Sequence, residues 1–379
     1  FVLDDGWFGA RSNDYAGLGD WVANKGRLPR GIKGLSERIE DMGMKFGLWF
    51  EPEMVNKDSD LYRAHPDWIL QTPQRNSCHG RNQFVLDFSR KEVVDCIYEM
   101  MYQILSEAKV SYIKWDMNRS ITECWSAALP ADRQGEVFHR YILGVYDLYE
   151  RLNTAFPQIL FESCASGGGR FDPGLLYYAP QGWASDDTDA AERVKIQYGT
   201  SMCYPISSIG SHVSVVPNHQ LNRKTPLHTR ANVAYFGTFG YELDLNKLSE
   251  DEILEVKAQI AFMKEYREVI QFGNFYRLKS PFEGNETVWM SVSEDKKTAL
   301  VFWYRERNVV NADFTRVRLE GLNPDFLYKN ELNGTENYGD ELMNLGLITT
   351  DSTAGEPTDE EELCSDYESR IYILKAETN

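Results

Sequence analysis

Cysteine, histidine and basic residues are all scarce in this sequence, and each scarcity closes off a class of function. The six cysteines (Cys78, Cys96, Cys124, Cys164, Cys203 and Cys364) are scattered without paired spacing. That pattern argues for reduced thiols in a cytoplasmic protein and against a disulfide frame or a zinc site. The six histidines make no HExxH pattern and no tight cluster, although His212 and His219 flank one strand-like run, so there is no metal signature. Lys and Arg total 40 against 58 Asp and Glu, a formal net charge of -18. Phosphate-rich partners, whether nucleic acid or an anionic membrane, would be repelled, and a neutral substrate suits the chain better. No run of about 18 apolar residues is present, which excludes a transmembrane helix by composition, and no signal peptide is visible. Because the chain opens at Phe1 inside what reads as a strand, it is expected to be a fragment.

What is present is a sizeable core. The 379 residues are 42% hydrophobic and 13% aromatic, enough for one large domain and a smaller one. The stretch 112–119, Tyr-Ile-Lys-Trp-Asp-Met-Asn-Arg, is a brief β-prone apolar segment that runs straight into Lys114, Asp116, Asn118 and Arg119. Charge arrives where a strand should end, and in an α/β barrel the C-terminal strand ends carry the chemistry. With a period of two, Lys114, Asp116 and Asn118 share one face. A strand-end salt bridge accounts for this run alone as readily as a site does.

Along the chain, short apolar strands alternate with longer helical patterns. The strand 1–3 leads into Asp4 and Asp5, and helical spacing over 34–44 places Leu35, Ile39 and Met42 on one side. The strand 46–50 delivers Glu51 and Glu53. An excursion follows that contains Arg81 and the extended run 84–87. Residues 90–108 form an amphipathic helix with Val93, Val94, Ile97, Met100, Met101, Ile104 and Leu105 inward. A second helix, 135–156, stops before Pro157. The strand 159–161 ends in Glu162 and a Ser-Cys-Ala-Ser-Gly-Gly-Gly-Arg run, and a short segment ends at Trp183 before Ser185, Asp186, Asp187 and Asp189. Two further strands are expected at 202–209 and 233–239, then a helix at 249–269. Seven strands with polar ends read as a (β/α)8 TIM barrel whose first strand lies upstream of Phe1. The barrel is expected over 1–272. From 273 to 379 the pattern changes to an antiparallel β-sandwich domain, with strands at 287–292, 298–304, 314–319, 326–329 and 370–374 and a solvated acidic loop at 356–362.

Asp116 and Asp186 end different strands, and two carboxyls facing across a barrel mouth are what glycoside hydrolysis needs. Trp7, Trp49, Trp115 and Trp183 lie within a few residues of strand-end polar groups. Any one of them is as readily core packing, but the four together favour a sugar, whose C–H faces match aromatic rings. Two other readings are weaker. The 166–170 loop follows a strand and offers backbone N–H groups to a phosphate, yet it lacks GxxxxGK[ST]. The acids Asp4, Asp5, Glu51, Glu53, Asp116 and Glu162 could hold a divalent ion with Lys114 as base, but Lys114 would compete with that ion.

The motifs LDDGWFG (3–9), GLWFEPEMV (47–55), IKWDMNR (113–119), ESCASGGGRFD (162–172) and WASDDTDA (183–190) resemble the retaining α-galactosidases of glycoside hydrolase family 36. The resemblance covers the barrel from its second strand plus the C-terminal β domain. It implies an N-terminal β-supersandwich domain and tetramer contacts outside this chain, and no metal or organic cofactor. By motif, Asp116 resembles the nucleophile and Asp186 the acid/base, with Asp187 the alternative. Asp4 and Asp5 resemble the pair that binds the axial 4-OH and the 6-OH of galactose. Lys114, Asn118 and Arg81 resemble its other hydroxyl partners. Trp49 and Trp183 and the Cys164, Ala165, Ser166 and Gly167 loop resemble the subsite walls, and Trp115 is expected among the substrate-binding residues. The resemblance also implies raffinose-family oligosaccharides and melibiose as substrates. Transfer to a sugar acceptor, as in raffinose synthase-like relatives, action on α-N-acetylgalactosaminides, and a silent sugar-binding module are the rivals. A retaining enzyme places Asp116 and Asp186 about 5 to 5.5 Å apart.

Overall fold

A computed structural model of the chain describes residues 1–309, 315–349 and 366–376. The acidic run 356–362, Cys364 and Phe314 lie outside the described residues. Two compact units divide the chain, Phe1–Trp183 and Ala184–Asn379.

In the first unit five parallel strands lie side by side in chain order: Val2–Leu3, Gly47–Phe50, Tyr112–Trp115, Leu160–Ser163 and Gln181–Trp183. Their register sets Trp49 beside Lys114, Lys114 beside Glu162, and Glu162 beside Gln181. Side chains alternate across a strand, so these residues share one face. Leu48, Phe50, Ile113, Trp115 and Phe161 take the other face and are fully buried. They join the inward sides of the helices Lys91–Glu107 and Val137–Ala155 in one apolar cluster. Val93, Val94, Ile97, Met101, Ile104 and Leu105 are buried as the 3.6-residue period requires. So are Val137, Tyr141, Val145, Leu148 and Leu152. The first helix is Gly31–Asp41, three residues earlier than its spacing predicted. It buries Ile32 and Ile39, whereas Met42 lies past its end and is exposed.

The second unit opens with the helix Ala190–Ser201 and contains a parallel pair, Ile209–Ser214 with Thr238–Glu242. Both strands begin where the sequence reading ended them. Residues 202–208 are turn and 3-10 helix, and Val233 belongs to the helix Leu227–Ala234. The helix Glu250–Phe272 starts on a full capping box: the Ser249 hydroxyl accepts from Glu252 N–H while the Glu252 carboxylate accepts from Ser249 N–H. This helix ends at Phe272, and the strand Asn274–Lys279 follows it.

Beyond it, six antiparallel strands form one sheet in the order Asn274–Lys279, Glu286–Val292, Thr298–Arg305, Glu368–Ala376, Leu327–Asn330, Glu336–Tyr338. Val288, Met290, Val292, Val301 and Trp303 alternate onto one face. They pack there with Val317 and Leu347 of a two-stranded ladder and with Leu342 of the short helix Gly339–Asn344. Trp289 and Phe302 stack on the opposite face, 4.5 Å apart, beside Phe236 and Phe275. The strands at 274–279, 336–338 and 347–348, and the short helix, were not read from the sequence. Through both units strand and helix alternate in the (β/α) barrel pattern, followed by the antiparallel sheet domain. Among the described residues no helix is long and apolar enough to cross a membrane.

Candidate active site

Asp116 sits one residue past the strand Tyr112–Trp115, and its backbone N–H still donates to Phe50 O at 2.8 Å. That bond ties the ends of two neighbouring strands together and turns the carboxylate inward, where it is 6% exposed. Three donors fix it. Trp49 Nε1 and Asn118 Nδ2 donate to Oδ2 at 3.2 and 2.7 Å, and Met117 N–H donates to Oδ1 at 2.9 Å. The Cys164 thiol also faces this carboxylate; burial, then the Asp116 charge, pushes that thiol far above its usual range. Trp49 is itself immobilised. It is 2% exposed, receives Trp7 Nε1–H on its carbonyl at 2.9 Å, and packs beside Phe8 and Trp21.

Lys114 lies one step back on the same face and donates to Asp4 Oδ2 at 3.0 Å. Burial works against its charge, but the carboxylates of Asp4 and Glu162 outweigh burial and hold the ammonium above its ordinary range. Asp5 is gripped bidentately by Arg11, through Nε at 3.0 Å and Nη2 at 2.8 Å. Sequence reasoning missed Arg11, which is 2% exposed although it follows a loop glycine and alanine. Deeper on the same face, Tyr112 OH and Gln181 Nε2 both donate to Glu162.

Past the strand Leu160–Ser163, Ala165 N–H donates to Gly167 O at 2.9 Å and Gly169 N–H to Ala165 O at 3.3 Å, closing a tight loop. Ser166 and Gly167 have φ of 48° and 82°, a left-handed pair that glycine adopts without cost. Ser166 Oγ donates to Asn118 Oδ1 at 3.3 Å, which links this loop to the residue that holds Asp116. Arg170 closes the loop from behind with two bonds of 2.8 and 2.9 Å to Glu53.

In the second unit the loop 184–189 separates its acids by function. Asp189 caps the helix Ala190–Ser201, accepting from Ala191 and Glu192 N–H, and pairs with Arg223. Asp187 Oδ1 accepts from Asp189 N–H at 3.0 Å, while Arg193 Nη1 pins Ser185 O at 3.1 Å. Asp186 is the exposed acid of the three.

Trp115 departs from the expected substrate contact. It lies on the opposite side of its strand from Lys114, fully buried, stacked on Tyr149 at 3.9 Å, with Nε1 donating to Glu53 Oε1 at 2.8 Å. The odd positions of a strand whose even positions face inward can do nothing else. Trp183 is buried and Arg81 exposed, the latter at a left-handed φ of 51°. The strand-end glutamates Glu51 and Glu53 are engaged by protein donors. Glu53 accepts from Arg170, Tyr141 and Trp115, and Glu51 from Asn118 N–H and Gln83 Nε2. Among the described residues no group of three or more His, Cys, Asp or Glu is arranged to hold a metal ion.

Comparison with known proteins agrees with this architecture. Residues 1–273 match the Melibiase family model, and residues 286–374 match the glycosyl hydrolase family 36 C-terminal domain. Alpha-galactosidase AgaA of Geobacillus stearothermophilus is 54% identical over 347 residues, which cover 91% of this chain and 47% of that protein. Its crystal structure superposes with a TM-score of 0.93 at 52% identity, over 99% of this chain and 51% of that one. Variants of that enzyme have been solved in complex with raffinose and with stachyose. The alpha-galactosidase of Lactobacillus brevis superposes with a TM-score of 0.96 at 51% identity, over 100% of this chain and 51% of that one. The chain thus spans about half the length of the relatives it matches. With a family model covering most of its length, and relatives about half identical over nine-tenths of it or more, this chain belongs to the melibiase family, glycoside hydrolase family 36.

Proposed function

We propose that this chain carries the catalytic barrel, residues 1–272, and the C-terminal β domain, residues 273–379, of an α-galactosidase. It would release terminal α-D-galactosyl residues from raffinose-family oligosaccharides and melibiose with retained configuration. The observation that carries the reading is the Asp116 carboxylate, buried at a strand end and oriented by Trp49, Asn118 and Met117. A nucleophile held in one orientation before substrate arrives lowers the entropic part of the barrier. Family membership and the raffinose and stachyose complexes of the Geobacillus relative support the substrate class.

In this reading Asp116 attacks the anomeric carbon while Asp186 protonates the departing oxygen, giving a β-galactosyl-enzyme. Water deprotonated by Asp186 then releases α-galactose. A retaining enzyme holds its two carboxyls about 5 to 5.5 Å apart, too close to admit the water an inverting enzyme uses. Asp4, Asp5, Lys114, Asn118 and Arg81 bind hydroxyls. Trp49, Trp183 and the Cys164–Ala165–Ser166–Gly167 loop wall the ring. No step draws on a metal or organic cofactor. Cytoplasmic residence and a homotetramer complete the proposal; the five described cysteines, all free thiols, support the former.

Proton NMR of the intact protein acting on an aryl α-galactoside tests the reading. The α-anomer should appear first, and β-galactose as the first product would overturn the retaining mechanism. Asp116→Ala should abolish turnover without loss of fold, and azide should partly restore it as β-galactosyl azide. Hydrolysis at the wild-type rate by that variant removes Asp116 from the role.

A further inference from the structure

Glu51 has no part in the chemistry above, yet it is wholly buried directly behind Asp116. It follows the strand Gly47–Phe50, and the Asp116 N–H to Phe50 O bond holds its segment against residues 116–118. Its Oε1 accepts from the Asn118 backbone N–H at 2.5 Å, and its Oε2 lies 2.9 Å from Gln83 Nε2. Asn118 then donates through its side-chain amide to Asp116 Oδ2 at 2.7 Å. One residue therefore joins two buried carboxyls, taking its backbone position from one and orienting the other.

We propose that Glu51 is a positioning residue for Asp116: it anchors the Asn118 backbone so that the Asn118 amide stays on the attacking carboxylate. The inference rests on the reading of Asp116 as nucleophile. The charged groups facing Glu51 are Asp116 and Arg81. Burial, then the Asp116 charge, pushes Glu51 up to about 8, against the pull of the Asn118 N–H and Arg81. Near neutrality Glu51 thus keeps its proton. The surroundings accommodate either state of Glu51. Gln83 Oε1 is buried without a partner, and turning that amide presents an oxygen to a protonated Glu51. By the same turn Glu51→Gln completes the network as a permanently neutral mimic.

Wild type, D116A, E51A and E51Q are compared in the intact protein by kcat, KM and pH profile. D116A reports on the underlying reading: if it hydrolyses normally, the nucleophile assignment fails and this inference with it. With D116A inactive, E51A is expected to lose about 10²-fold in kcat with KM little changed, because a displaced nucleophile reacts slowly with substrate that binds normally. E51Q is expected to retain most of kcat on the acid side of neutrality and to lack the inflection near pH 8 expected of wild type. Wild-type kcat in E51A, or an E51Q profile that superposes on wild type, overturns the proposal while leaving Asp116 in place. If E51A does not fold, the E51Q profile alone decides.

Discussion

The opposed duties proposed for Asp116 and Asp186 go with different surroundings, and the proposal can be tested one residue at a time. Asp186 is exposed in a loop whose other acids are spent on a helix cap and a turn. As general acid it matters only when the leaving group needs a proton. Asp186→Ala should therefore lose far more activity on melibiose than on an aryl galactoside with an acidic phenol. Equal losses on the two substrates would move the role to Asp187. For Glu51 the consequence is thermodynamic. Its pKa rises from the usual 4.5 to about 8 on folding, so between those values the native state binds more protons than the unfolded one. Stability from this group is complete below pH 4.5 and is lost as pH rises through about 8. Glu51→Gln removes the titration, so unfolding free energies measured by denaturant should fall less steeply with pH over that window. A slope identical to wild type would mean that Glu51 does not hold its proton.

At the scale of elements, what the sequence disclosed and what it hid have one physical cause. The helices Lys91–Glu107 and Val137–Ala155 bury purely apolar or aromatic faces, so their 3.6-residue period is visible. The helix Ala190–Ser201 buries Arg193 and Gln197, whose polar groups bond to the carbonyls of Gly210, Val233 and Phe236 and to Ser211. A face satisfied by hydrogen bonds in place of apolar contact leaves no periodic signal. The strands beside it were accordingly placed several residues early. Asp116, Lys114 and Asn118 were legible because charge ending an apolar strand is a local pattern. Arg11 was not, and Glu51 was legible only as a strand-end acid, because the partners they engage lie six and 67 residues away and only folding brings them together. The helix Val137–Ala155 also supplies a packing test. A Cβ at Gly144 would stand 1.9 Å from the backbone oxygen of Phe88, which no side-chain rotation relieves. Gly144→Ala gains about 1 kcal/mol of helix propensity but incurs an overpacking cost of about 1–3 kcal/mol or more. Net destabilisation should appear as a lower denaturant midpoint; a stabilised variant would show that the helix can shift away from Phe88.

At the scale of the whole molecule the governing quantity is charge. A net charge of -18 surrounds a site whose proposed substrate carries none. Long-range fields change encounter rates only for charged partners, by about 10- to 10³-fold when steering is strong. Within the site the interactions that matter are short: Lys114 with Asp4 at 3.0 Å, and Asn118 with Asp116 at 2.7 Å. Raising ionic strength from about 0.01 to about 1 M shortens the Debye length from about 30 to about 3 Å, which removes the global field but barely touches contacts of this kind. For a neutral galactoside kcat/KM should therefore change by less than about twofold across that range. A galactoside whose aglycone bears a carboxylate meets the repulsion of the acidic surface, so its kcat/KM should rise with salt until the field is screened. Stopped-assay rates on the two substrates over one salt series separate these outcomes. Strong salt dependence with the neutral substrate would mean that the acidic surface shapes the site itself, and the neutral-substrate argument drawn from composition would fail.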